Sequence, residues 1–270
     1  MNESLRKRII TASILAAALL IVVLWLPPLV TEVVLTVLVL AGAWEWSAFL
    51  RLQSLVSRAV YVGVIAVLLP TAWALTNTPQ SLNAFLTVVV IWWLVALCWI
   101  VFAPRRVAQW SAALAGALAL VPAWLGLVRL LRDVSQGAEW VLFALILVWV
   151  ADIGAYFFGR RFGRLRLAPE VSPGKTWEGV IGGVAASAVV AVLGSVWFHV
   201  PMGAFLLLCI AAVSFSVVGD LTESLLKRFA GMKDSGTLFP GHGGVMDRID
   251  SVTGAVPVLF FGLTLLGVVA

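Results

Sequence analysis

Charge is what this sequence lacks most. Only 11% of its 270 residues are Asp, Glu, Lys or Arg, against about 25% in a soluble domain, and 62% are hydrophobic. A water-soluble globular protein is thereby excluded. Cysteine is also scarce. The two present, Cys98 and Cys209, sit inside apolar runs and read as small core residues, which excludes a disulfide framework or a cysteine metal pair. Long linkers, low-complexity tracts and a convincing internal repeat are missing too. So is a cleavable leader: the first apolar run follows Arg6, Lys7 and Arg8, is too long for a signal peptide and has no small-residue cleavage site before Pro27, so it reads as a retained helix.

What is present is apolar sequence in runs of about 20 residues, the length that crosses a bilayer. Nine can be drawn, at roughly 9–29, 32–50, 59–76, 82–102, 110–131, 139–158, 178–198, 202–220 and 251–270. The expected fold is an all-α polytopic membrane protein of about nine transmembrane helices. Several tryptophans, among them Trp44, Trp110, Trp177 and Trp197, fall near run ends and read as interfacial anchors. With the N-terminus in the cytoplasm, sixteen of the eighteen Lys and Arg residues lie on the cytoplasmic side, as the positive-inside rule requires. The net charge of +5 is then a matter of topology, and no nucleic-acid partner is expected.

The acidic residues are more selective. Nine of the thirteen fall at cytoplasmic helix ends or loops, and seven of those come after residue 160. Residues 1–131 therefore read as embedding helices with possible dimer contacts. Residues 132–270 read as the catalytic region, with cytoplasmic loops 159–177 and 221–250. In the first part only Glu45, near a cytoplasmic helix end, stands out, as either a satisfied polar contact or a functional group. Asp152 falls roughly 20 Å along its helix from Glu139 at 1.5 Å per residue, a depth that demands a partner or a wet cavity. Asp220, Glu223, Ser224 and Lys227 are spaced i, i+3, i+4, i+7 and form one polar stripe if the helix continues; a solvated helix end is the alternative.

Two segments gather charge beside glycine. In "FPGHGGVMDRID", Phe239 to Asp250, Asp247 and Asp250 share a face if the chain is helical from Val245. Asp247 and Asp220 then meet across two helix ends. Carboxylates so placed, near Lys227, Arg228, Lys233 and Arg248, suit Mg²⁺ and phosphate, because Mg²⁺ takes one or two protein carboxylates and leaves the rest to phosphate and water. In "GRRFGRLRLAPEVSPGKTWEG", Gly159 to Gly179, residues Ser172 to Thr176 read as a turn before a helix start, which attracts anions. The arginines of this segment read as positive-inside anchors, Arg164 among them. Lys175 and Thr176, beside Glu178, are harder to explain that way.

"SLLKRFAGMKDSGTLFPGHGGVMDRID", Ser224 to Asp250, closely resembles the signature of the phosphatidate cytidylyltransferases, the CDP-diacylglycerol synthases. "VVGDLTES", "SPGKTWEGVIGG" and "ADIGAYFFGRRFG" are similar to the family as well, so the motifs span about residues 149–251. The resemblance implies transfer of the cytidylyl group of CTP to phosphatidate with Mg²⁺, in the cell inner membrane, by a homodimer with a polar pocket open to cytoplasm and lipid. It implies Asp220 and Asp247 as metal carboxylates, and an associated monovalent cation such as K⁺. The expected catalytic set is Lys227, Arg228, Lys233, Asp234, His242, Arg248 and Asp250. The expected substrate-binding set is Asp152, Ser172, Lys175, Thr176, Glu178, Glu223, Ser224, Gly243 and Gly244. Phosphatidate is already ionised at neutral pH, so His242 would bond a phosphate or shape the turn and need not act as a base. An ion-coupled transporter using Asp152 and Asp220 is the main alternative, but transporters favour midplane sites and repeated halves. A structural scaffold would not need the 220–250 cluster. A CDP-alcohol phosphotransferase would carry an Asp-x-x-Asp-Gly pattern, which is absent.

Overall fold

Proline or a hydroxyl residue marks the starts of the helices that open at Pro28, Leu55, Pro79, Trp177 and Met202, and the apolar runs form the helices. The computed structural model describes residues 17–238 and 243–269. Helix α1 occupies 17–25 and breaks at Pro27, after which Pro28 opens α2, Pro28–Phe49; proline suits a first helical turn because its missing N–H has no intrahelical role there. Then come α3, Leu55–Leu75, and α4, Pro79–Phe102, where Thr78 and Ser81 form a reciprocal capping box. Next are α5, Gln109–Asp133, and α6, Gly137–Phe162. A short antiparallel hairpin follows, β1 Arg166–Ala168 and β2 Ser172–Thr176. The last helices are α7, Trp177–Trp197, α8, Met202–Ala230, and α9, Met246–Leu265.

Among the described residues eight helices, α2 to α9, are long and apolar enough to cross a membrane; residues 9–16 of the first expected run lie outside the described residues. The chain is a multi-span membrane protein, as its composition predicts. Helix α5 is the most enclosed and α3 the least; α3 turns Val60, Val64 and Val67 outward, an apolar face that suits lipid. Burial carries no hydrophobic gain between helices in lipid, so close packing has to hold them. Glycine supplies it at α8 and α9: a Cβ on Gly254 would stand 2.1 Å from the Phe215 carbonyl oxygen, and one on Gly219 would stand 2.6 Å from that of Asp250. Helices α6 and α7 meet likewise through Gly154, Gly182 and Gly183.

The structure departs from the sequence reading at the segment before α7. Residues 172–176 form a strand, not a turn, because Ser172 and Thr176 pair with Ala168 and Arg166. Helices from before and after residue 131 pack together: α5 packs on α9, and α4 on both α8 and α9.

Candidate active site

Helix α8 runs on to Gly231, whose left-handed φ of 73° ends it. Asp220, Glu223, Ser224 and Lys227 therefore lie on one helical face. That face turns inward: Glu223 is 1% exposed and Lys227 8%. A buried charge needs a partner, and Lys227 Nζ donates to Glu223 Oε2 at 3.0 Å and to Asp247 Oδ1 at 2.8 Å. Close contact of α8 and α9 also brings Asp250 beside Asp220 and Glu223.

The segment between α8 and α9 fixes Asp247 from its other side. Asp247 Oδ2 accepts from the amides of Ser235 and Gly244 at 2.9 and 2.8 Å, and lies 2.9 Å from Ser235 Oγ. Gly243 takes φ 78°, and a Cβ there would fall 2.2 Å from Asp247 Oδ2, so neither its backbone nor its surroundings admit a side chain. Helix α9 has no side-chain cap of its own. Its first amides are met instead by Glu45 of α2, which accepts from Val245 and Met246 at 3.0 and 2.8 Å.

The hairpin and the end of α6 form the facing wall. Thr176 Oγ1 caps α7 by accepting from Gly179 N at 3.2 Å, and Lys175, next to it on β2, pairs with Asp220. Asp152 of α6 accepts from Ser251 Oγ at 3.3 Å. These groups surround a cavity of about 670 Å³. Asp152, Asp220, Asp247 and Asp250 line it with Lys175, Arg160, Arg166 and Tyr156; Arg160 donates to the Tyr156 hydroxyl at 3.0 Å. A second cavity, about 310 Å³, lies among Glu32, Trp73, Trp124 and Arg132. There Arg132 pairs with Glu32, so no cluster of like charge is left to attract an ion.

A model of the cytidylyltransferase family matches residues 6–266. The chain belongs to the cytidylyltransferase family. Among its relatives, the phosphatidate cytidylyltransferase of Pseudomonas aeruginosa is 42% identical over 261 residues, 94% of this chain and 95% of that protein. That of Haemophilus influenzae is 38% identical over 284 residues, 94% and 96% of the two chains. That of Staphylococcus saprophyticus is 41% identical over 137 residues, 50% and 53%. Nothing in these relatives supports a transporter.

Within this cytidylyltransferase the expected site residues divide into groups. Asp152, Lys175, Thr176, Asp220, Asp247 and Asp250 line the cavity together. Glu223, Ser224 and Lys227 stand behind it: Ser224 Oγ lies 3.4 Å from Asp220 Oδ1. Gly243 and Gly244 shape the loop around Asp247 and Glu45. Other residues lie elsewhere. Lys233 and Asp234 are exposed on the loop after α8, and Arg228 points away to the carbonyls of Val171 and Met232, at 3.4 Å each. Ser172 is outside the cavity lining among the described residues, and Glu178 accepts from Leu165 N at 3.2 Å. Arg248 is exposed but close enough to Asp152 for their charges to interact. His242 lies outside the described residues.

One feature escaped the sequence reading. Arg160 and Arg166 line the cavity, so anchoring does not account for all the arginines of the 159–166 segment. Their cationic character was visible, but the positive-inside rule explained it equally well. Glu45, which the sequence left open as a polar contact or a functional group, is buried and accepts from the start of α9.

Proposed function

We propose that this chain transfers the cytidylyl group of CTP to phosphatidate, giving CDP-diacylglycerol and pyrophosphate. The observation that carries the reading is one cavity walled by four aspartates and by Lys175, Arg160 and Arg166, at one end of the membrane-crossing helices. In the reaction a phosphate oxygen of phosphatidate attacks the α-phosphorus of CTP. The bond from that phosphorus to the bridging oxygen breaks, and its electron pair leaves with pyrophosphate. The attacking oxygen is already ionised, so no base has to take a proton. What the protein must do is hold two anions together and stabilise the charge that leaves.

Lys175, at the start of α7, suits a phosphate group, and Arg160 and Arg166 offer further positive charge on the same wall. Lys227 holds Asp247 from behind. The donor set fits Mg²⁺, with Asp220 and Asp247 to hold it: both carboxylates face one cavity. Among the described residues no three acidic, His or Cys side chains form a cage, and Mg²⁺ needs only one or two carboxylates when phosphates and water complete its shell. When bound, the ion supplies neutralisation of the triphosphate and of the departing pyrophosphate. A monovalent cation such as K⁺ would draw on the same acidic wall.

The cavity would face the cytoplasm of a cell inner membrane, where CTP is available, with the N-terminus on that side. Support for this comes from the sixteen of eighteen cations that one orientation gathers there. A homodimer rests on the family resemblance. Membranes containing the chain, given phosphatidate, Mg²⁺ and CTP labelled at the α-phosphate, should carry label into chloroform-extractable lipid. Absence of such label would overturn the proposal.

A further inference from the structure

We infer that Glu45, on α2, is a positioning residue for Asp247. The inference rests on the proposed reaction, and it gives the N-terminal helices a part in the site. Glu45 is 8% exposed, deep enough that an ionised carboxylate must be satisfied by protein. It is: Oε1 accepts from Val245 N at 3.0 Å, and Oε2 accepts from Met246 N at 2.8 Å. Those amides open α9 and have no partner within the helix. The Ser235 hydroxyl stands 2.8 Å from Glu45 Oε2 and 2.9 Å from Asp247 Oδ2. A hydroxyl has one proton to donate, so it links the two carboxylates by serving one at a time.

Capping alone does not require a carboxylate, since a serine could meet one amide. What Glu45 adds is a grip on both the start of α9 and the loop at Ser235. These are the two segments whose amides hold Asp247 Oδ2. With Oδ2 tied down, Oδ1 is left facing Lys227. The surroundings leave space for no more than this carboxylate: a Cβ on Gly244 would lie 2.2 Å from Glu45 Oε2, and one on Gly236 would lie 2.5 Å from Oε1. On the same helix α2, a Cβ on Gly42 would touch Met246 Sδ at 3.0 Å. Glycines of α2 and of the loop thus let the three segments converge.

Glu45→Gln tests this, because its amide nitrogen would face the Val245 or Met246 N–H, donor against donor. In the purified full chain, the Mg²⁺ concentration giving half-maximal CTP incorporation should rise about 10-fold or more, the usual scale for a residue that orients a metal ligand. Amide exchange over 243–247 should quicken while the core of α8 keeps its protection. Ser235→Ala, which spares both backbone bonds of Glu45, should shift the Mg²⁺ dependence the same way but less. A purely structural loss would lower turnover without moving the half-saturating Mg²⁺. Wild-type Mg²⁺ dependence in both variants, or exchange that quickens equally along α8, would overturn the inference. If Glu45→Gln does not fold, Ser235→Ala decides, and an unmoved Mg²⁺ dependence there counts against it. A wild-type chain with no CTP incorporation would instead overturn the proposed function. Amide exchange at 243–247 in Glu45→Gln would still show whether Glu45 holds the loop.

Discussion

Lys175, on the second strand of the hairpin, pairs with Asp220, in the C-terminal half of α8. The ion pair joins the two walls of the cavity. It also places a cation beside a carboxylate where a nucleotide phosphate and its counter-ion would lie. A flexible ammonium in this position can exchange one anionic partner for another as substrate enters.

Lys175→Ala should therefore lower turnover by about 100-fold, some 2.7 kcal/mol of transition-state stabilisation. Arg164→Ala should stay within about 2-fold of wild type, since that residue is exposed and outside the cavity lining and exposed charges contribute little. Label incorporation from CTP compares them. Equal losses at both positions would mean that the segment acts through bulk charge.

The clamp of Lys227 between Glu223 and Asp247 should show as a stability effect. Lys227→Met leaves the Glu223 carboxylate buried with no counter-charge, a loss of about 3–5 kcal/mol. Glu223→Gln in the same chain should restore much of that stability. Activity should stay low, because Asp247 still lacks its lysine. Thermal unfolding in detergent, measured beside turnover, separates the two effects.

Glycine packing gives a sharper contrast. A Cβ at Gly254 has no space against the Phe215 carbonyl, whereas Gly203, in the first turn of α8, has nothing within 4 Å. Gly254→Ala should cost about 1–3 kcal/mol by forcing the helices apart. Gly203→Ala should be neutral or slightly stabilising, since alanine loses less entropy than glycine in a helix. Unfolding midpoints of the two variants, compared with wild type, check this.

The helices were legible because lipid demands long apolar runs and the runs are uninterrupted. The polar stripe of α8 was legible as well, from the spacing of Asp220 to Lys227. Its direction was not. Whether Glu223 meets water or protein depends on Gly219 and Gly254 bringing α9 close, and that approach is a fact of packing, not periodicity. The hairpin was missed because "SPGKT" has a proline and a glycine, which weaken a strand reading. Glu45 could not be assigned at all: its partners Ser235 and Met246 are 190 and 201 residues away in sequence. Lys233 and Asp234, which the resemblance places in the catalytic set, lie exposed on the loop after α8 and outside the cavity lining.

The proposed orientation rests on the charge asymmetry and is open to a direct test. A reporter fused after Ala270 should be active only on the far side of the membrane, with the N-terminus in the cytoplasm. Activity of that fusion in the cytoplasm would mean that one helix fewer, or one more, crosses.

Asp220 and Asp247 are proposed to hold together the ion that binds the CTP phosphates. Asp→Asn keeps size and removes charge. Each single variant should insert and fold but lose about 100-fold in turnover, and the double variant should be little worse, because one ion needs both ligands. His242→Gln should keep measurable activity, since the attacking oxygen needs no base. The most direct measurement is a Mg²⁺ titration of CTP incorporation by Asp247→Asn beside the wild-type chain. Turnover should be about 100-fold lower, with half-saturation moved to higher Mg²⁺. Near-normal turnover with an unchanged Mg²⁺ dependence would contradict it.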